Sequence, residues 1–296
     1  MDDMRLAIGA ASDTGSVREQ NEDTIYVADP ETETAQENGV LVAVADGMGG
    51  YQRGEVASRI AIDTLQELFY GTSLSRTETP NRLKQAFRQA NDRIFEDGSS
   101  GGESNMMGTT LVAAVIRGGD LTVANVGDSR AYLVRANRLT QISQDHSLVA
   151  EQVAAGTMTE QEARESQHRN IITRALGHRQ RVDVDVFEIR LLPDDRLILS
   201  SDGLHDYLDE GEMVSVAQLA PPEKAAQELV ARALQHESND NVSAVVAWMA
   251  PAGVALAPEA VEPVPAGRGA ILVPVLVLLG LLVFVAIVAL ILFMGH

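Results

Sequence analysis

The feature that most constrains this chain lies near its end: Ala270 to Met294 runs without one charged or strongly polar side chain. A helix of that length crosses the ~30 Å of hydrocarbon in a bilayer, whereas a helix buried in a soluble core rarely runs so far without a polar face. Residues 270–294 are therefore predicted to form a transmembrane helix. The preceding stretch, 251–269, is dominated by Ala, Pro, Gly and Val without helical or strand periodicity, and reads as a linker. Residues 1–250 remain as a separate folded domain. Only Gly295 and His296 follow the apolar run, so the expectation is a single-pass, C-terminally anchored protein of the cell membrane, with the lipid bilayer as one partner. The N-terminus, Met1-Asp2-Asp3-Met4-Arg5, carries acids where a secretory signal carries bases. Together with Arg268 beside the span, this places the domain in the cytoplasm.

Charge and cysteine usage narrow the chemistry of that domain. The chain carries a formal charge of -19; residues 251–296 hold Glu259, Glu262 and Arg268, a net of -1, so -18 belongs to residues 1–250. A domain this acidic, with no lysine- or arginine-rich run, is repelled by phosphate backbones, which argues against nucleic acid as a partner. There is no cysteine, which excludes disulfides, a thiolate nucleophile and cysteine-ligated zinc or iron–sulfur clusters. Any metal must be held by oxygen or imidazole.

Apolar runs and turn signals give the layout. Val40 to Ala45 is a short continuous apolar run, suited to a strand covered on both faces. Glu55 to Phe69, Pro80 to Glu96 and Pro222 to His236 carry apolar residues at helical spacing, and Thr79-Pro80 is a good helix start. Thr110 to Ile116 and Leu121 to Val126 flank Gly118-Gly119-Asp120, a hairpin signal, and Ser129 to Val134 continues the meander. Val182, Val184 and Val186 alternate with Asp183 and Asp185 as a half-exposed strand would, and Leu197–Leu199 and Ala244–Trp248 supply further strands. Strands in meanders with helices set apart point to an α+β fold. Residues of about 147–170, polar with short apolar patches, suggest a small helical flap over the surface.

Several aspartates share one setting, after an apolar strand and before a turn-forming residue: Asp46 in Val44-Ala45-Asp46-Gly47, Asp128 in Val126-Gly127-Asp128-Ser129, and Asp202 in Leu199-Ser200-Ser201-Asp202-Gly203. Strand ends gathered at one rim bring such carboxylates together, and like charges a few ångströms apart stay ionised only beside a cation. Oxygen ligands favour magnesium or manganese. Taken singly, each Asp-Gly or Asn-Asp pair is as well explained as a turn.

In order along residues 5–249, the chain resembles the metal-dependent protein phosphatases of type 2C. The motifs are Arg18-Glu19-Gln20-Asn21-Glu22-Asp23; Asp46-Gly47-Met48-Gly49-Gly50 followed by Gly54-Glu55-Val56-Ala57-Ser58; Met107-Gly108-Thr109-Thr110; Gly127-Asp128-Ser129-Arg130; Ser201-Asp202-Gly203-Leu204; and Asn239-Asp240-Asn241-Val242-Ser243. The resemblance implies a four-layer α-β-β-α sandwich, two antiparallel sheets flanked by helices, with two Mn2+ or Mg2+ ions at one end. It implies that Asp46 bridges both ions, that Glu22 and the Gly47 carbonyl complete one site and Asp202 and Asp240 the other. Asp23 then orients a metal-bound water, Asp128 with Asp202 matches the third-metal position of bacterial relatives, and Arg18 grips the substrate phosphate, for which a planar guanidinium is suited. Alone, Arg18 would read as a surface arginine paired with Glu19 or Glu22.

The implied reaction is hydrolysis of phosphoserine and phosphothreonine in proteins by a metal-activated water, without a phosphoenzyme. Animal members place a histidine where this chain has Met48, so the general acid stays open between a metal-bound water and His146, itself read as structural or exposed. No Gly-x-Ser-x-Gly elbow or Gly-x-x-x-x-Gly-Lys-Ser/Thr loop is present, which removes serine hydrolases and P-loop enzymes. The expected partners are phosphorylated proteins, with a membrane serine/threonine kinase and its substrates as the natural guess. A small regulatory phosphoprotein as substrate, and a membrane-tethered pseudophosphatase, are the competing readings.

Overall fold

In the computed structural model the described residues are 4–49, 53–71, 78–99, 107–219 and 221–253. The chain divides into two units, Met1–Leu256 and Ala257–His296. The second unit, most of the predicted linker and the predicted span at 270–294 lie outside the described residues. Among the described residues no helix is long and apolar enough to cross a membrane.

The strands are β1 (Met4–Asp13), β2 (Asp23–Val27), β3 (Val40–Gly49), β4 (Met107–Thr109), β5 (Leu111–Arg117), β6 (Asp120–Val126), β7 (Arg130–Arg135), β8 (Arg138–Gln141), β9 (Asp185–Arg190), β10 (Arg196–Ser200) and β11 (Val242–Pro251). The helices are α1 (Glu33–Asn38), α2 (Arg53–Tyr70), α3 (Thr79–Ser99), α4 (Leu148–Ala154), α5 (Glu160–Glu165), α6 (Asp202–His205), α7 (Glu210–Ala217) and α8 (Pro222–Gln235). All strand pairs are antiparallel. One sheet runs β1-β11-β10-β7-β8, the other β2-β3-β5-β6-β9 with β4 added beside β3.

Strand alternation explains the layering. On β3, Leu41, Ala43 and Ala45 face α2 and α3, packing with Leu65, Phe69, Leu83 and Phe87. Val42 and Val44 point the other way, into the space between the sheets with Val112, Ala114, Leu133, Leu197, Leu199, Val245 and Ala247. Successive side chains of a strand point to opposite faces, so a strand walled on both sides needs an unbroken apolar run, as 40–45 supplies. On the outer face of the first sheet, Tyr132, Ile198, Ala244 and Val246 pack against Leu204, Met213, Val216, Ala225 and Leu229 of α6–α8. The result is two antiparallel sheets with helices on both outer faces, at roughly 1.5–3 kcal/mol per large buried apolar side chain.

Two expectations need adjusting. The half-exposed strand read from Val182 begins only at Asp185; Val182 and Val184 are buried against the helical face of the second sheet before the strand starts. Asp46 was expected at the end of its strand, but β3 continues to Gly49 by changing partner, from Val44 opposite Val112 on β5 to Gly47 opposite Thr109 on β4. At the switch Asp46 stays paired with β2 but leaves the regular ladder on the side of β4 and β5: its N–H donates to the Thr110 hydroxyl at 3.0 Å, and its carbonyl accepts from Thr110 N–H at 2.9 Å. Within 147–170 lie two short helices, α4 capped by Ser147 and α5 by a Thr159–Glu162 capping box.

Candidate active site

The pairing registers place the carboxylate-bearing segments at one rim. In the first sheet Ser200 pairs with both Ala244 and Arg130, and Asp13 with Val242. The turns carrying Asp202, Asp240 and Asp128 and the loop after β1 therefore leave the same edge. In the second sheet Asp23 at the start of β2 lies directly opposite Asp46 on β3. Asp46 is close enough to Asp23, Asp202, Asp128 and Asp240 for each of them to raise its proton affinity, and Asp240 raises that of Asp23 and Asp202 as well.

Asp23 is buried; its Oδ2 accepts from the Ser201 hydroxyl at 2.8 Å, while its Oδ1 has no partner. Ser201 in turn accepts from Ser243 N–H at 3.0 Å, joining β10 to β11 beneath the acids. Burial pushes Asp23 up to about 6, against the nearby hydroxyls of Ser243 and Ser201 and with help from Asp240 and Glu22. Burial, then Asp23, Asp202, Asp128 and Asp240, holds Asp46 well above the carboxylate range. Asp202 is raised in the same way by burial and by Asp128 and Asp240. Asp128 is pushed to about 7, chiefly by burial and Asp145. Each of Asp23, Asp128 and Asp202 leaves one buried carboxylate oxygen unsatisfied.

Glu22 is held close to the Asp46 turn. Its carbonyl accepts from Gly47 N–H at 3.1 Å and from the Ser58 hydroxyl at 2.6 Å. Gly54, at the start of α2, lies against it: a Cβ there would sit 2.7 Å from Glu22 Oε1. Only a glycine lets the helix approach this closely. Burial raises the Glu22 carboxyl, with Arg18 opposing.

Arg18 pairs with neither neighbour considered from sequence. Its Nη2 donates to Asp240 Oδ2 at 2.6 Å, across 222 residues, and its side chain stays half exposed at the rim. His146 is buried: its Nδ1 accepts from Gly127 N–H at 3.0 Å and its Nε2 lies 3.1 Å from Asp185 Oδ2. That settles its structural reading, since both ring nitrogens are engaged within the protein. Reading the sequence picked out the acids but not Ser201, Thr110 or Asn241, which hold their segments in place, although all three sit inside the quoted motifs.

The donor set fits hard divalent cations. Buried carboxylates with orphaned oxygens and raised proton affinity are the environment that a cation relieves. Among the described residues, no group of three or more carboxylate or imidazole side chains is placed to hold one metal ion. Magnesium-type ions keep several waters and take one or two carboxylates, so Asp46 with the Gly47 carbonyl and Glu22, and Asp202 with Asp240, form sets of the right kind.

Comparison with known proteins agrees with this arrangement. The sequence profile of the family described as Protein phosphatase 2C matches residues 18–249. The chain is 35% identical over 239 residues to serine/threonine phosphatase stp of Listeria welshimeri, covering 79% of this chain and 92% of that one. It is also 35% identical to serine/threonine protein phosphatase PstP of Mycobacterium tuberculosis, over 82% of this chain but only 45% of that longer protein. The crystal structure of that PstP superposes with a TM-score of 0.74 over 83% of this chain and 99% of the crystallised one. A crystal structure of a PstP catalytic domain in complex with 2 manganese ions superposes with a TM-score of 0.72 at 34% identity.

Proposed function

Because this chain belongs to the protein phosphatase 2C family, as a metal-dependent protein-serine/threonine phosphatase, we propose that the acids at its rim divide the labour as follows. Asp46 is shared between two cations, with Glu22 and the Gly47 carbonyl on one side and Asp202 and Asp240 on the other. Asp128 with Asp202 offers a third position. When bound, the cations supply a nucleophilic water near neutral pH and neutralise charge on the phosphoryl oxygens.

The chain's own groups then bind, orient and hold protons. Arg18 at the open rim presents its guanidinium to two phosphate oxygens of the substrate, an encounter that requires it to exchange Asp240 for phosphate. Asp23, buried and held by Ser201, has an unpartnered Oδ1 free to orient an attacking water. Methionine at position 48 leaves no histidine beside Asp46 to protonate the departing serine or threonine oxygen. His146, with both nitrogens engaged, is not available for that role.

The observation that carries this reading is the repelling set of buried Asp23 and Asp128 with partly buried Asp46 and Asp202, three of which leave a buried oxygen orphaned. The test is release of phosphate from a phosphothreonine peptide with manganese, with magnesium and with chelator. Turnover with either metal that chelator and Asp46→Asn both abolish supports the assignment; turnover that survives Asp46→Asn refutes it.

We further infer that the substrates lie at a membrane, with a single-span serine/threonine kinase and its targets among them. The support is compositional, the uncharged run 270–294. Membrane fractionation of the full chain and of a chain ending at 253 checks it, since only the full chain should sediment with the membranes.

A further inference from the structure

Residues 14–22 connect β1 to β2 and carry both Arg18 and Glu22, yet they have little to hold their shape. Residues 15–17 make a turn, but among the described residues no backbone–backbone hydrogen bond ties residues 14–21 to a strand. Asp13 Oδ1 takes Gly15 N–H at 2.8 Å at the loop's start. Gly15 itself adopts a φ of 78°, and a Cβ there would overlap the Asp240 carbonyl.

One side chain answers most of the remaining backbone demand. Asn241, 4% exposed at the start of β11, uses its whole amide on this loop. Its Oδ1 accepts from Glu22 N–H at 2.8 Å, and its Nδ2 donates to the Thr14 carbonyl at 2.8 Å and the Gln20 carbonyl at 2.9 Å. The three contacts fall at the two ends of the loop, with Arg18 between them. Only a primary amide presents two donors and an acceptor in one plane. Serine, aspartate or a hydrophobe could satisfy at most part of the set, and each unmet buried group would be destabilising.

We propose that Asn241 is a positioning residue for phosphate binding: it fastens the 14–22 loop so that Arg18 is presented at the rim, acting through Arg18 without touching substrate. This rests on the reading of Arg18 as the phosphate-gripping residue. A loosely held guanidinium must be ordered anew at each binding event, and small misplacements of a positioning group cost up to about a hundredfold. The loss should therefore appear in KM for phosphopeptide and in affinity for inorganic phosphate before it appears in kcat.

The experiment is a double-mutant cycle on the full chain loaded with manganese, using Asn241→Ala, Arg18→Ala and the double variant. Binding of inorganic phosphate and steady-state kinetics on a phosphothreonine peptide are the readouts. The expected result is a rise of about tenfold or more in KM for Asn241→Ala, with kcat changed much less, and a double variant no worse than Arg18→Ala. Additive losses would overturn the proposal, because they would mean that Asn241 acts elsewhere.

Hydrogen exchange gives a reading that needs no turnover. The amides of residues 14–22, Glu22 above all, should lose protection in Asn241→Ala while those of β10 and α8 keep theirs, and uniform loss across the domain would also overturn the proposal. Should Asn241→Ala fold too poorly for kinetics, Gly15→Ala perturbs the same loop from its other end and should reproduce the KM effect. If the wild-type protein binds inorganic phosphate no better than Arg18→Ala, the reading of Arg18 falls, and exchange alone then decides whether Asn241 fastens the loop.

Discussion

Replacing Asp23 with asparagine should flatten the dependence of stability on pH in the metal-free protein. Asp23 sits directly opposite Asp46 in the β2–β3 ladder, and residues so placed have Cβ atoms roughly 5 Å apart. Two unit charges at that distance repel by about 3 kcal/mol at an effective dielectric of ~20. The raised proton affinity of Asp23 is set first by burial, with Asp240 and Glu22 adding to it: going from 3.8 to about 6, at ~1.4 kcal/mol per pH unit, amounts to roughly 3 kcal/mol. The sign follows from which state binds the proton more tightly. Asp23 holds its proton more strongly folded than unfolded, so its contribution favours folding below about pH 4 and is lost as pH climbs through about 6. About half of that contribution, roughly 1.4 kcal/mol, is left at pH 5 and almost none at pH 8, so in chelator the wild-type melting temperature should fall by about 3–6 °C more than that of Asp23→Asn over this range, at 2–4 °C per kcal/mol. The asparagine keeps an acceptor for the Ser201 hydroxyl, so the comparison isolates charge. Thermal unfolding of both proteins across that range, followed by circular dichroism, is the assay. Parallel curves for wild type and variant would refute the argument, and so would a wild type that gains stability towards pH 8.

Manganese should remove most of this pH dependence in the wild type, because a cation compensates the same carboxylates and binding to the native state adds RT ln(1 + [L]/Kd) to its stability; melting curves with and without metal at pH 8 measure it. Gly54→Ala should press a methyl group against Glu22 and the Gly47 carbonyl carbon, costing about 1–3 kcal/mol as overpacking does and raising the manganese concentration needed for half-maximal activity. Arg18→Ala should raise KM for phosphopeptide about thirtyfold, the equivalent of one charge-assisted contact of roughly 2 kcal/mol, with a smaller change in kcat. Phe87→Ala, fully buried between α3 and the second sheet, should lower stability by about 3–5 kcal/mol while leaving KM unchanged at temperatures where the variant stays folded.

What could be read without coordinates was whatever has a local physical cause. The 40–45 run announced a doubly covered strand because every residue in it is apolar, and α2, α3 and α8 announced themselves by spacing. β1 did not, because Gly9, Ala10 and Ala11 blur any alternation and the strand is fixed by its ladder with β11, at the far end of the domain sequence. Asp46, Asp128 and Asp202 were legible because each follows an apolar strand segment and precedes a glycine or serine, although Asp46 proves to lie within β3 and Asp202 to open α6. Their supporting cast was not: nothing local says that Ser201 reaches Asp23, that Arg18 reaches Asp240, or that one amide spans the loop from Thr14 to Glu22. Hydrogen bonds between distant segments exist only once the sheets have closed.

The doubly walled β3 carries a consequence for how this chain tolerates change. Its side chains are sorted by parity, Leu41, Ala43 and Ala45 to the helices and Val42 and Val44 to the opposite sheet, and Asp46 takes its direction from the same odd–even count. Deleting or inserting one residue ahead of it would invert every assignment at once, driving valines into the space shaped for alanines and turning the carboxylate away from its companions. The reactive end is thus metered by the apolar interior, and the tolerated length changes are those outside the strand, before Val40 or beyond Gly49.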